Sequence, residues 1–358
     1  MQIVSIVGAR PQFVKLAVVS KALARFPEIR HNVLHTGQHY DDEMSGSFFR
    51  DLGIPEVYEN LGVGSGPHGW QTAQMMSRLE PILHSLKPDW VLLYGDTNST
   101  LAGAVIAAKM KLRLAHIEAG LRSFNRTMPE EINRIVADHL GELLFCPTAA
   151  GMENLRREGL IEHAVLCGDV MYDAVLANLA EFERRENSAA FEWAERAYAL
   201  ATVHRAENTD DPDRLRILLR ALDEIAIEIC PVVMPIHPRT RSVLEELEWA
   251  PQNIIIIPPL TYPDMLIYEK RARMILTDSG GVQKEAYFLR VPCITLRDET
   301  EWTETLENSC NVLAGANDSS RVLKAARQAD SAGPWGSHYG RGDAGQIIAR
   351  ELVARCRR

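Results

Sequence analysis

The sequence predicts an α/β protein built from two doubly wound, Rossmann-like domains. Over the first 170 residues, short apolar runs alternate with helical segments, which is typical of a mostly parallel sheet covered by helices on both faces. The alternation starts again after a polar stretch at 181–195, and 358 residues exceed what a single core ordinarily requires. We therefore expect domains at 1–170 and 171–345 with a cleft between them, and a C-terminal helix at 346–358 that packs back on the first domain.

The apolar runs locate the strands of both sheets. The predicted strands are 2–7, 32–35, 90–94, 112–117, 143–146 and 164–167 in the first domain, and 198–203, 231–236, 254–257, 274–276, 292–296 and 311–314 in the second. Helices are predicted between them, among others at 42–52, at 69–86, from 129 onward and at 340–356. Pro11 suits the first turn of the first helix, where its missing N–H would be unpaired in any case.

Composition excludes several classes of protein. The net charge of -9 and the lack of a basic patch argue against nucleic acid as a partner. Every apolar stretch is shorter than the ~18 residues that cross a bilayer, and no signal peptide is expected, because the chain enters an apolar strand directly. The six cysteines are scattered without a C-x-x-C pair, which is typical of reduced thiols in the cytoplasm rather than of a zinc site or a disulfide framework.

A stretch in the second domain has the sequence of a phosphate-binding turn. It reads MILTDSGGVQKEA at 274–286, an apolar strand followed by small residues and a helix start. The free N–H groups of a first helical turn and the helix dipole favour an anion, and Gly280 and Gly281 let a diphosphate approach the backbone. Glu285, about one turn further on, is placed to reach a sugar hydroxyl. A tight turn with a Ser or Asp N-cap and no ligand is the alternative.

Polar side chains follow most predicted strands at their carboxyl ends, where ligands bind in open parallel sheets. In the first domain these are Arg10, Lys15, Gln38, His39, Asp96, Glu118, Arg126 and Glu130. In the second domain they are His204, Arg205, His237, Arg239, Asp278, Ser279, Gly280 and Gly281. Two such edges facing each other would line a cleft with bases, carboxylates and a phosphate site.

Each of these residues also has a structural explanation. Asp96 would serve as the cap of the helix after it, and Glu130 would stabilise a helix dipole from the first turn. We expect His31, His35 and His116 to be structural. The remaining polar residues share one position, the carboxyl ends of the strands, and this shared position favours a functional site.

Several common enzyme motifs are absent. The first turn reads GARPQFVK and lacks G-x-G-x-x-G, so a nicotinamide cofactor is not expected. P-loop, G-x-S-x-G and H-E-x-x-H motifs are absent as well. The pattern that remains suits a nucleotide diphosphate and acid–base chemistry, with no metal and no added cofactor.

Eight motifs in a fixed order resemble those of the non-hydrolysing UDP-N-acetylglucosamine 2-epimerases. They are GARPQFVK, TGQH, YGDTNST, HIEAGLRS, PEEINR, HRAEN, HPRTR and TDSGGVQKEA, and the match spans residues 1–350. The resemblance implies a glycosyltransferase-B-like fold, a homodimer, and reversible inversion at C2 of a UDP-2-acetamido sugar for surface polysaccharide synthesis. The implied mechanism is elimination of UDP to a 2-acetamidoglucal and re-addition on the other face, with domain closure to retain the intermediate.

The resemblance also assigns roles to matching residues. The acid–base and catalytic positions are Asp96, Glu118, Glu130 and His204, with the carboxylate for each face of C2 left open. Positions that match substrate contacts are Arg10, Lys15 and Arg134, then Ser279, Gly280 and Gly281 for the diphosphate, and Glu285 for the ribose. From their places at the same edges, we expect Gln38, His39, Arg205 and His237 to bind substrate too.

Three departures from the usual family pattern bear on the substrate. First, QHYDDEM replaces QHREML, which argues against the second, activating UDP-GlcNAc site of some members. Second, QKE replaces QEE. Third, Trp302 stands where an Arg is common. These features are similar to the branch that acts on UDP-2,3-diacetamido-2,3-dideoxyglucuronic acid. A uronate needs an extra cation, which Lys284, Arg122 or Arg126 would supply, and UDP-GlcNAc itself also fits.

Three other functions share parts of this pattern. A glycosyltransferase of the same fold would move the sugar to an acceptor, but it leaves three carboxylates with less to do. A nucleotide-sugar binding protein without turnover would be expected to have lost catalytic positions, all four of which are present. A hydrolysing variant would release free sugar and UDP.

Overall fold

The computed structural model describes residues 1–38, 54, 56–185, 194–246 and 251–356. The chain divides into two compact units, one of Met1–Ala174 with Ser337–Arg358 and the other of Val175–Gly336. The predicted helix at 42–52 and the predicted site residue His39 lie outside the described residues.

The first unit contains a parallel sheet in the order β3-β2-β1-β4-β5-β6-β7. Its strands are β1 (Gln2–Val7), β2 (Arg30–His35), β3 (Val57–Asn60), β4 (Trp90–Tyr94), β5 (Leu114–Ile117), β6 (Leu143–Cys146) and β7 (Ala164–Leu166). The order reverses between β1 and β4. Such a reversal opens a crevice at the carboxyl ends of the two strands, where ligands bind in doubly wound folds.

Helices cover both faces of this sheet. They are α1 (Arg10–Leu23), α2 (His68–Leu86), α3 (Asn98–Lys109), α4 (Pro129–Leu140), α5 (Ala149–Arg157) and α6 (Val170–Arg185), which continues into the second unit. Side chains of β1 alternate between two cores, as the period of a strand requires. Ile3 and Val7 pack with α1, whereas Val4 and Ile6 pack with α2 and α3.

The second unit repeats the architecture with a parallel sheet in the order β10-β9-β8-β11-β12-β13. Its strands are β8 (Ala199–Thr202), β9 (Val232–Pro235), β10 (Ile254–Ile257), β11 (Met274–Thr277), β12 (Cys293–Thr295) and β13 (Asn311–Leu313). Its helices are α7 (Ala206–Thr209), α8 (Pro212–Glu228), α9 (Pro238–Glu246), α10 (Tyr262–Arg271), α11 (Gly280–Leu289) and α12 (Ser319–Arg327). The strand order reverses between β8 and β11.

The chain ends with α13 (Ala344–Cys356), a helix of the first unit. Ile348 and Leu352 are fully buried in the same core as α1. The Asp173 carboxylate of α6 accepts hydrogen bonds from the backbone N–H groups of Ala344 (3.2 Å) and Gly345 (2.9 Å). A side chain distant in sequence therefore supplies the acceptor that the first turn of a helix needs.

The predicted fold class, two doubly wound Rossmann-like domains, is confirmed. Strands β1, β4, β6 and β10 have the predicted bounds. Strand β3 was not predicted. Its sequence VYEN contains few apolar residues and is largely exposed, because it pairs only with β2 at the edge of the sheet. The apolar signal on which the other strands were predicted is therefore missing here.

Candidate active site

A buried glutamine joins the two strand ends at the switch point of the first unit. The side chain of Gln12 donates to the backbone oxygen of Tyr94 (2.7 Å) at the end of β4. Its Oε1 accepts from the N–H groups of Gly8 (2.7 Å) and Ala9 (3.1 Å) at the end of β1. Gln12 therefore fixes the backbone on which the polar residues of both strand ends are mounted.

Lys15 and Glu118 form a buried ion pair at this switch point. Lys15 comes from the second turn of α1, and Glu118 directly follows β5. The backbone of Glu118 has a φ of 75°, a left-handed conformation that costs a non-glycine residue free energy. Beneath the pair lies Gly95, where a Cβ atom would be 3.2 Å from both the Glu118 carboxylate and the Lys15 ammonium. The position therefore favours glycine.

Asp96 forms the second ion pair of the site, with Arg134 of α4. Arg134 is also held by Glu131, at 2.8 Å, and Glu131 in turn accepts from Ser123 and from the N–H of Phe124 (3.0 Å). The carboxylate that organises this loop is therefore the buried Glu131. The predicted catalytic Glu130 is exposed in the first turn of α4, and the described residues offer it no hydrogen bond or ion pair.

The side chain of Gln38 is hydrogen-bonded to α3 at the same edge of the sheet. Its Oε1 accepts from the backbone N–H (3.1 Å) and the hydroxyl (2.7 Å) of Ser99 in the first turn of α3. The backbone of Arg10 begins α1, but its side chain lies outside the described part of the chain, as does His39. Substrate binding by these three residues stays a prediction.

In the second unit, a buried carboxylate orients His204. Asp278 follows β11, is fully buried, and lies 3.1 Å from the His204 Nδ1. It also accepts from the backbone N–H groups of His204 and Arg205, both at 2.9 Å. Burial alone would raise the pKa of Asp278, but the hydrogen bond and charge of His204 outweigh it and lower that pKa. An ionised Asp278 fixes the Nδ1–H tautomer and leaves Nε2 of the ring for other partners.

Arg205 and His237 lie beside His204, as predicted for residues that follow neighbouring strands. The His204 and His237 ring centroids are 5.4 Å apart. Arg205 is the N-cap residue of α7 and is partly exposed. The end of β8 thus gathers two imidazoles and the backbone of Arg205 next to the Asp278 turn.

The N-terminus of α11 has the geometry that its sequence predicts. Ser279 is the N-cap, and its hydroxyl accepts from the N–H of Val282 at 3.4 Å. The N–H groups of the following first turn have no intrahelical acceptor. A Cβ atom at Gly281 would find no atom nearer than 3.7 Å, whereas one at Gly280 would lie 2.7 Å from Glu301 Oε1. The serine cap is therefore present, there is space beside Gly281 but not beside Gly280, and anion binding at this helix start stays a prediction.

Glu285, the predicted ribose contact, is buried in α11 beside a second carboxyl group. Glu269 of α10 is fully buried. Burial raises the pKa of Glu269 well above its ordinary range, and the charge and hydrogen bond of Glu285 raise it further. The raised pKa favours the uncharged form of Glu269 in the folded protein.

Lys284 is also buried, and it packs against Trp302. Its ammonium lies 3.8 Å from the centre of the indole ring, a cation–π contact. Only 2% of Lys284 is exposed. This places one of the three predicted uronate-binding cations inside the second unit.

Neither a metal site nor a membrane helix is found in the described part of the chain. No group of three or more His, Cys, Asp or Glu side chains there has the arrangement of a metal site. No helix described by the structure is long and apolar enough to span a bilayer. The six cysteines are unpaired with one another, and four of them are buried.

The sequence did not reveal three buried polar residues that hold other residues of the candidate site in place. Gln12, Glu131 and Glu269 are all buried polar side chains in helices. Glu131 could not be distinguished from the adjacent Glu130 in the PEEINR motif. No local pattern indicates Glu269, because its partner Glu285 is 16 residues away. A polar residue at an otherwise apolar helix position was the one available signal for Gln12.

Comparison with known proteins places this chain among nucleotide-sugar enzymes. The family model described as UDP-N-acetylglucosamine 2-epimerase matches residues 21–353. A Methanococcus maripaludis protein named UDP-N-acetylglucosamine 2-epimerase homolog is 50% identical over 325 residues, covering 88% of this chain and 89% of that protein. The UDP-2,3-diacetamido-2,3-dideoxy-D-glucuronate 2-epimerase of Pseudomonas aeruginosa is 46% identical over 358 residues, covering 99% of each.

A solved structure agrees with these relatives. The crystal structure of Methanocaldococcus jannaschii UDP-GlcNAc 2-epimerase, in complex with UDP-GlcNAc and UDP, superposes with a TM-score of 0.91 at 41% identity, covering 99% of this chain and 100% of that one. The two Rossmann-like units are therefore those of the glycosyltransferase-B-like epimerases, and the chain belongs to the UDP-N-acetylglucosamine 2-epimerase family.

Proposed function

We propose that this protein catalyses the reversible epimerisation at C2 of a UDP-linked 2-acetamido sugar, by elimination and re-addition of UDP. The observation that carries the proposal is the pairing of Asp96 with Arg134 and of Glu118 with Lys15 at one switch point. Removing a proton from C2 and returning it on the opposite face requires two positioned acid–base groups. Membership of a family with 2-epimerase relatives supports the same reaction.

In this proposal the second unit holds UDP. The N-terminus of α11 receives the diphosphate, with Gly280 and Gly281 nearest to it, and Glu285 receives the ribose. Helix N–H groups and the helix dipole offset the negative charge that develops as UDP leaves. His204, oriented by Asp278, has Nε2 available toward the substrate. The carboxylate for each face of C2 is left open.

The uronate requires a cation, and the three candidates differ in how they are held. Arg122 is fully engaged by Asp138 (2.7 Å) and by both oxygens of Glu158 (2.7 Å). Lys284 is buried against an indole ring. Arg126 is exposed on the loop between β5 and α4. We infer that Arg126 binds the carboxylate of a 2,3-diacetamido uronate, the substrate named for the Pseudomonas aeruginosa relative.

UDP-GlcNAc is the second candidate substrate, because the Methanocaldococcus jannaschii relative, 43% identical, is named for it. Each sugar nucleotide, incubated with the protein in D₂O, tests the reaction. Epimerisation predicts deuterium at C2 of both substrate and product, seen by NMR. Absence of exchange with both sugars would refute the proposal.

The same NMR samples separate the other functions. A glycosyltransferase would be inert until an acceptor is added, and a binding protein would be inert throughout. A hydrolysing enzyme would release free sugar, whereas an epimerase keeps the product linked to UDP.

The substitution Arg126→Gln tests the sugar preference. We expect KM for the diacetamido uronate to rise about tenfold or more, because a charge-assisted hydrogen bond contributes about 1.5–3 kcal/mol. The rate with UDP-GlcNAc serves as the internal control and should change little. Equal effects on both sugars would contradict a role for Arg126 in recognising the carboxylate.

We further propose that the protein is a homodimer, as the family resemblance implies. An apolar groove on the first unit supports this proposal. It is lined by side chains of α2, α3 and α4, which include Ala73, Met76, Leu101 and Ile132. Ile132 is 48% exposed and lies among these other apolar side chains, and a contiguous apolar surface of this kind is where a partner binds.

A further inference from the structure

The buried His116 ring has an acceptor at each of its nitrogens. His116 lies in β5 and is fully buried. Its Nε2 is 2.7 Å from the backbone oxygen of Gly95, and its Nδ1 is 2.7 Å from Asp138 Oδ1. A carbonyl oxygen accepts and never donates, so Nε2 carries a proton.

Asp138 is held as an ionised acceptor. It is fully buried, and its other oxygen accepts from the N–H of Gly120 (3.1 Å) and from Arg122 (2.7 Å). Burial alone would raise the pKa of Asp138, but the charges and hydrogen bonds around it lower that pKa, and among them Arg122 is a cation whatever the state of His116. An ionised carboxylate only accepts, so the His116 Nδ1 must carry a proton as well.

We propose that His116 is a buried imidazolium and that the His116–Asp138 pair is a positioning element for the two turns that carry Asp96 and Glu118. Two cations, His116 and Arg122, face two carboxylates, Asp138 and Glu158, and His139 lies 3.8 Å from Glu158 at the outer end of this network. A buried cation is tolerated when it is paired and fully hydrogen-bonded, and this network meets both conditions.

The pair connects the two turns through their backbones. Gly95, which accepts from His116, directly precedes Asp96; Gly120, which donates to Asp138, comes two residues after Glu118. Both turns are left-handed, with φ values of 64° at Gly95 and 75° at Glu118. A residue other than glycine, here Glu118, keeps this conformation only where its surroundings determine it. By holding Gly95 and Gly120 the pair contributes to that constraint and sets the spacing of the two carboxylates, whose catalytic meaning rests on the proposed function.

The protonation state is measured on the wild-type protein, with no variant that needs to fold. With ¹⁵N-labelled histidine, both ring nitrogens of His116 should give protonated, N–H-coupled signals at neutral pH. His31 is the internal comparison, because burial lowers its pKa to about 4 and its Nε2 contacts the Ser5 hydroxyl at 2.8 Å. An unprotonated, pyridine-type Nδ1 in His116 would overturn the imidazolium.

The positioning role is measured with Asp138→Asn, which removes the carboxylate at nearly constant size. We expect kcat for exchange at C2 to fall about 100-fold, because small displacements of catalytic groups have effects of that order. KM and UDP affinity should stay near wild type, and the amide signals of Asp96 and Glu118 should shift. His31→Gln, a change at another buried histidine, should leave kcat unchanged.

Failure of the positioning role can be distinguished from failure of the proposed function. If wild-type protein exchanges C2 with neither sugar, the proposed function fails, while the NMR signals of His116, Asp96 and Glu118 still decide the positioning claim. A folded Asp138→Asn protein with unchanged kcat, or with unchanged signals at Asp96 and Glu118, would overturn the positioning role.

Discussion

Replacing Asp96 by asparagine separates chemistry from binding. Asp96 is ion-paired with Arg134, and asparagine keeps its size and one acceptor oxygen while removing its charge. We expect exchange at C2 to fall by about 10²–10⁴-fold, the usual contribution of a general acid or base. UDP affinity, measured by titration calorimetry, should change little, since the second unit holds UDP in our proposal.

Asp213→Asn is a matched control for this change, because the Asp213 side chain is 86% exposed on α8. It should leave both exchange and affinity at wild-type values. Near-normal turnover of the Asp96→Asn protein would remove Asp96 from the chemistry.

The buried Glu269 makes stability depend on pH. Its pKa is raised in the folded protein by burial and by Glu285, so the folded state holds a proton that the unfolded state has released. The free energy of unfolding contributed by this group therefore falls as pH rises above the ordinary glutamate range, by about 1.4 kcal/mol for each pH unit over which the proton is held. Glu269→Gln should flatten this fall in urea denaturation over a pH series.

The glutamine variant should also be more stable than wild type at alkaline pH, because its amide has no proton to release and buries no charge. Glu224→Gln is the control, since Glu224 is exposed on α8 in the same unit. If wild type and Glu269→Gln had the same pH profile, Glu269 would not hold the extra proton.

The first turn of α11 combines room for a side chain with room for a ligand. A Cβ atom at Gly281 meets nothing closer than 3.7 Å in the free protein. Gly281→Ala should therefore raise the free energy of unfolding by up to about 1 kcal/mol, from helix propensity. UDP affinity should fall by roughly tenfold, about 1.4 kcal/mol, because the methyl group occupies the diphosphate approach.

Gly69→Ala is a matched control, because Gly69 lies in the first turn of α2 with no atom within 4 Å of an added Cβ. We expect no loss of UDP affinity; since Gly69 lines the groove proposed as the dimer interface, only affinity is compared. Unchanged UDP affinity in Gly281→Ala would place the diphosphate away from the start of α11.

The proposed homodimer is tested through the groove on α2, α3 and α4. Ile132→Glu places a charge among apolar side chains that the partner is expected to bury, so sedimentation velocity should detect a shift to monomer. Ile227→Glu is the control, because Ile227 is 67% exposed and lies outside that groove on α8. Dimerisation unaffected by Ile132→Glu would place the interface on another surface.

Much of the architecture was predictable, because its signals are local. The apolar run at β4 and the two glycines that begin α11 are each recognised within a few residues, and the structure has both. Strand β3 was not predicted, because an exposed edge strand needs few apolar residues. Glu130 and Glu131 show the same limit within the site: two adjacent carboxylates look alike in sequence, and only the packing of α4 buries the second one.

The sequence by itself determined the two doubly wound units, the family, and the strand ends that carry the polar residues, because periodicity and motif order are properties of the linear chain. Only the tertiary structure decided the partners. It brought Asp138 to His116, Asp278 to His204 and Glu269 to Glu285 across 22, 74 and 16 positions of sequence. Protonation and orientation depend on burial and on the nearest charge, and both are set by how helices and strands pack.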